Sequence, residues 1–187
     1  MPSRRNRFPA VMKSTAVLSA AATAGLAWAY ALHPQGWVLA LAITCGTVCY
    51  HFAMRLLVGA VVPLFAGSFH PDQPWFRQRG WEPKLYARLK LKSRKAGIPT
   101  YDPGQFDLTL LPLSQVVRNM CSAEVVHEVI ILLSFLPLLF AIPFGEFAVF
   151  FITSVLSAGF DCVFVVTQRF NRPRLVKLMK KKEAKGL

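Results

Sequence analysis

The sequence predicts an all-α integral membrane protein: four transmembrane helices, with a basic amphipathic cytoplasmic segment between the second and third. Two observations carry this. Hydrophobic residues make up 54% of the 187-residue chain and charged residues only 17%, where a soluble domain carries about 25% charge. The net charge of +13 is not spread over a surface. Basic residues gather in blocks at 4–13, 77–118 and 169–185, with long apolar runs between them. Basic blocks flanking apolar runs read as loops held on the cytoplasmic side, so nucleic acid is not expected as a partner. The length suits one membrane domain, residues 1–187.

The first predicted span, about residues 15–32, is rich in Ala and follows a basic start. That pattern resembles a signal peptide, but a second span follows after the short turn at 33–36, which favours a retained helix. Trp28, Tyr30 and Trp37 surround that turn as interfacial aromatics do. The second span, about 37–58, is long enough to cross a core of roughly 30 Å, and carries His51 and Arg55 within it. A polar cytoplasmic loop occupies about 66–118. Inside it, residues 82–95 interleave aromatic and Leu residues with Lys and Arg, a pattern for a helix lying among anionic headgroups.

The third span, about 123–143, and the fourth, about 147–166, are separated by Phe144, Gly145 and Glu146 alone. They form an antiparallel hairpin, with Pro137 placed to kink the third helix. A polybasic tail, 169–187, ends the chain. The two short turns hold no Lys or Arg, so the positive-inside rule puts both termini and the central loop in the cytoplasm. The expected location is the bacterial cytoplasmic (inner) membrane, multi-pass. The four cysteines show no CxxC pairing, and neither a metal site nor a disulfide framework is expected.

Ionisable residues inside a membrane are functional candidates by default. At 1.5 Å per residue, His51 lies about 21 Å into the second helix and Arg55 one turn deeper. Glu124, His127 and Glu128 fall in the first turns of the third helix, and Asp161 sits about 12 Å from the inner surface. Each has a plain reading beside the functional one. Arg55 snorkels to headgroups, Glu124 caps a helix start, and Asp161 pairs with Arg55 or Arg169 for structure only. Glu124 stands three residues before His127, a spacing that orients an imidazole and suits it to act as a general base on a hydroxyl. Gln168, Arg169, Phe170, Asn171, Arg172, Pro173 and Arg174 close the fourth span. Three guanidinium groups with Gln and Asn suit a phosphate or carboxylate, and Pro173 is expected to break or redirect the helix.

Ala123-Glu124-Val125-Val126-His127 and Gln168-Arg169-Phe170-Asn171-Arg172-Pro173-Arg174 resemble the motifs of the glycosyl-4,4′-diaponeurosporenoate acyltransferase family. The heptapeptide is the specific part; Tyr50-His51 with Met54-Arg55, and the 81–106 segment, are also similar. The resemblance spans most of the chain from His51 to Arg174. It implies transfer of a fatty acyl chain from a cytosolic donor, acyl-CoA or acyl-carrier protein, to a hydroxyl of a membrane glycolipid or glycosyl carotenoid. No tightly held cofactor is implied. On that reading His127, Glu124 and His51 are catalytic. Arg55, Asn119, Gln168, Arg169, Asn171, Arg172, Arg174 and Asp161 bind substrate or donor. Anionic lipids are expected partners, and a homo-oligomer is among the states the sequence allows. Two rival classes stay open: another lipid-modifying enzyme, and a non-enzymatic lipid-binding or assembly subunit.

Overall fold

The computed structural model describes residues 7–91 and 101–185. Among these there is no strand, and four helices are long and apolar enough to cross a membrane: Phe8–Leu32, Gly36–Ser68, Leu113–Phe144 and Phe147–Glu183. We label the α-helical stretches α1 (Phe8–Leu32), α2 (Gly36–Val61), α3 (Glu82–Arg88), α4 (Leu113–Leu133), α5 (Ala141–Phe144) and α6 (Phe147–Glu183). Packing divides the chain into two compact units, Met1–Ala60 with Val129–Asp161, and Val61–Glu128 with Cys162–Leu187.

In the first unit, α1 begins earlier than the apolar pattern indicated, because Pro9 in its first turn pre-sets a helical φ. It stops at His33, ahead of Pro34 and Gly36. The long side chains of these helices mostly point outward: Leu132 is 74% exposed and Ile142 84%. On helices of this length that is a surface for lipid tails. Inside are Met12, Val38, Ala42, Met54, Ile130 and Phe150. The bend after Leu133 has a definite cause. Pro137 has no N–H to return to the Leu133 carbonyl. The Tyr50 hydroxyl donates to that carbonyl instead, at 2.8 Å, and a short 3-10 stretch, Leu136–Phe140, leads into α5. Gly145 (φ 69°) and Glu146 (φ 48°) then turn the chain through left-handed backbone.

In the second unit, α4 begins at Leu113, ten residues before the expected start of the third span. Among the described residues of the segment read as helical to residue 95, the helix runs over Glu82–Arg88. Lys90 takes a left-handed φ of 52°, and the Leu91 N–H returns to the Tyr86 carbonyl, which closes the helix. Residues 92–95 lie outside the described residues. The inward positions of α3 are Glu82 and Tyr86, one turn apart, so its buried face is polar and aromatic rather than purely apolar.

Pro173 does not end the last helix: α6 runs 37 residues through it to Glu183. The lost N–H leaves the Arg169 carbonyl without its usual partner. The helix is held on both sides of the gap, by Arg169 and Arg172 before it and by Arg174 stacked back on Phe170 across it. Those contacts are the physical reason the expected break does not occur.

Candidate functional site

Among the described residues two polar clusters are built, one in each unit. In the first, Arg55 on α2 donates to the Asp161 carboxylate at 2.5 Å and to Ser157 Oγ at 2.9 Å. Ser157 Oγ shares a hydrogen bond with Ser134 Oγ at 2.8 Å. The pairing of Asp161 is therefore with Arg55. His51, one turn before Arg55, is buried and meets Tyr50 edge-on at 5.4 Å. Among the described residues, neither of its ring nitrogens has a hydrogen-bond partner, nor do Arg55 Nε and Ser154 Oγ.

The second cluster is a chain of alternating charges. Glu124 on α4 is fully buried. Its Oε1 accepts from Arg169 Nη1 at 2.6 Å, and its Oε2 accepts from Arg172 Nη1. Arg169 also reaches Glu82, with Nη2 at 2.6 Å and Nε at 3.0 Å from the same oxygen, Oε1. The other Glu82 oxygen accepts from the Tyr86 hydroxyl at 2.7 Å. Burial, then the bond to Glu82 and its charge, push the Tyr86 hydroxyl above its ordinary pKa.

Two carboxylates and two guanidinium groups thus balance, and the spare N–H groups bind backbone. Arg169 donates to the carbonyls of Trp75 and Arg77, both at 3.2 Å, and Arg172 to that of Phe76 at 2.6 Å. Three successive carbonyls of the loop are fastened in this way. The Arg172 guanidinium also lies 4.9 Å over the Phe76 ring, a cation–π contact in a desolvated place.

This alters the role read from spacing. The 124/127 interval pointed the Glu124 carboxylate toward His127, whereas its oxygens are shared between Arg169 and Arg172. The anions gripped by Arg169 and Arg172 are Glu124 and Glu82 of this same chain. His127 is half-buried, with its ring stacked on Phe164 at 4.4 Å and 11°. Its neighbour Glu128 accepts from the Trp75 indole at 2.7 Å. The fastened loop is thereby tied to the turn of α4 that carries His127.

Of the remaining candidates, Asn119 donates to the Gln105 carbonyl at 2.8 Å and accepts from Gln115 at 3.0 Å, which joins the 103–106 turn to α4. Gln168 and Asn171 are half-buried on α6, and Arg174 is exposed. Glu82 was missed as a site residue. It stands between Trp81 and Pro83 in a loop dominated by Lys and Arg, and an acid isolated in a basic stretch was the available signal. Among the described residues, no three His, Cys, Asp or Glu are grouped to hold a metal ion.

Comparison with known proteins gives no match among curated proteins and none among solved structures. One family does match, over residues 72–181, a stretch that takes in the whole chain of charges from Glu82 to Arg172 and His127 beside it. More than half of the sequence is covered, and the chain belongs to the glycosyl-4,4′-diaponeurosporenoate acyltransferase family.

Proposed function

We propose that this protein is a membrane-bound acyltransferase, moving a fatty acyl chain from a cytosolic thioester donor to a hydroxyl of a membrane glycolipid or glycosyl carotenoid. The observation that carries the reading is the family match over residues 72–181, which encloses the Glu82–Arg169–Glu124–Arg172 cluster and His127. His127 is the general base. It takes the proton of the acceptor hydroxyl as the oxygen attacks the donor carbonyl. The C–O ester bond forms, the C–S bond breaks, and the leaving thiolate receives the proton from the imidazolium. Direct transfer needs no covalent acyl-enzyme.

Glu82, Glu124, Arg169 and Arg172 are positioning residues. By cancelling one another they lock the loop around residues 74–77 beside the His127 turn, and such preorganisation is what holds a base in reach of its proton. The protein works from the cytoplasmic side of the bacterial inner membrane, with both termini and the central loop inside. The placement of Lys and Arg supports this, and thioester donors are cytosolic.

The test is lipid analysis of membranes with and without the protein. The reading requires a species heavier by one acyl chain that appears with the wild-type protein and is missing with His127→Ala. Identical lipid profiles at normal protein abundance would point instead to a lipid-binding or assembly subunit.

A further inference from the structure

The cations of α6 between residues 169 and 177 divide into two sets. Arg169 and Arg172 are consumed by Glu82 and Glu124. Arg174 and Lys177, further along the helix, make no ion pair among the described residues. They line a separate groove of about 440 Å³, with Gln78, Lys90, Tyr86 and Phe170. Among the described residues no carboxylate lines it; Glu82, close by on α3, is turned to Arg169 and Tyr86.

The groove is pre-shaped for a particular chemistry. The Arg174 guanidinium lies 3.9 Å over the Phe170 ring. Stacking on a ring face fixes the plane of the guanidinium without using its in-plane N–H donors. It is held as a fork, the geometry that matches phosphate oxygens two at a time. Lys177, three residues on, is its neighbour on the helix surface and adds a compact positive charge. Phe170 and Tyr86 meet edge-on at 5.3 Å and form an apolar wall, stiffened by Pro83 and Pro173. The volume is in the range of small-molecule sites and exceeds what a lone carboxylate fills.

We infer that this groove binds a phosphorylated ligand, a phosphate mono- or diester whose adjoining part packs on Phe170 and Tyr86. Two sources share that chemistry: the nucleotide end of a soluble acyl donor and the headgroup of an anionic lipid. A donor role rests on the acyltransferase reading above, whereas the binding itself does not.

The test uses the full chain in phosphatidylcholine nanodiscs. One arm titrates 3′,5′-adenosine bisphosphate as the soluble probe; the other adds phosphatidylglycerol to the disc and measures its retention by native mass spectrometry. Saturable binding in either arm is expected, weakened about tenfold by Arg174→Gln and similarly by Lys177→Gln, the size of losing a charge-assisted hydrogen bond. Both side chains are exposed, so the variants fold. Binding of the bisphosphate identifies a soluble donor, and retention of the lipid alone identifies a headgroup. Failure of both probes, or equal affinity in the wild type and both variants, overturns the inference. His127→Ala still has to bind the probe even when it forms no product, so the groove and the acyl-transfer reading fail separately.

Discussion

Arg172 is buried against the carboxylate of Glu124, with side-chain exposures of 2% and 0%, so neither charge has water to fall back on. Removing Arg172 leaves Glu124 Oε2 without its donor, while Arg169 still holds Oε1. Arg172→Ala is expected to destabilise the protein by about 3 kcal/mol, the low end for breaking a buried pair, because Arg169 still pairs with Glu124. Arg172→Lys recovers only part of this, because an ammonium cannot span Glu124 and the Phe76 carbonyl in one plane. Unfolding in detergent micelles measures both. An Arg172→Ala protein within about 1 kcal/mol of wild type would mean that the pair is not buried as described.

The Tyr50 hydroxyl and Pro137 are linked through the Leu133 carbonyl. Tyr50→Phe is expected to cost about 1 kcal/mol, one net hydrogen bond. Pro137→Ala restores an N–H for that carbonyl, so Tyr50→Phe costs less in its presence. A double-mutant cycle reads the difference. Strict additivity would show that Tyr50 does not serve the acceptor left by the proline.

Among the described residues, neither ring nitrogen of the buried His51 has a hydrogen-bond partner, an arrangement that costs stability. His51→Leu is expected to leave thermal stability unchanged or raise it. A fall in stability would show that the ring nitrogens are engaged in the folded protein.

Topology is read by reporter fusions. Fusions at Gln35 and Gly145 should report the outer side and a fusion at Arg79 the cytoplasm. A cytoplasmic signal at Gly145 would contradict four crossings.

The four helices long and apolar enough to cross a membrane were legible because hydropathy is a local property, summed along some twenty residues. Their ends were less so. The start of α1 depended on Pro9, and the persistence of α6 past Pro173 depended on the side chains that hold it on either side. Glu124 and Arg172 could be singled out as charges in unusual places. Their partnership could not, because 48 residues separate them, and Glu82 is 87 residues from Arg169. An i,i+3 rule sees only neighbours on one helix, which is why spacing directed Glu124 to His127 and left Glu82 out.

The central claim is that His127 moves the acceptor proton. The measurement that tests it most directly is the transfer rate per folded molecule for His127→Ala, with folded protein counted independently. The account predicts a fall of about 10²–10⁴-fold, the contribution of a general base, with the loop around residues 74–77 still in place because Glu82, Glu124, Arg169 and Arg172 are untouched. A lower yield of folded protein with a normal rate per molecule would contradict it and make His127 a packing residue against Phe164.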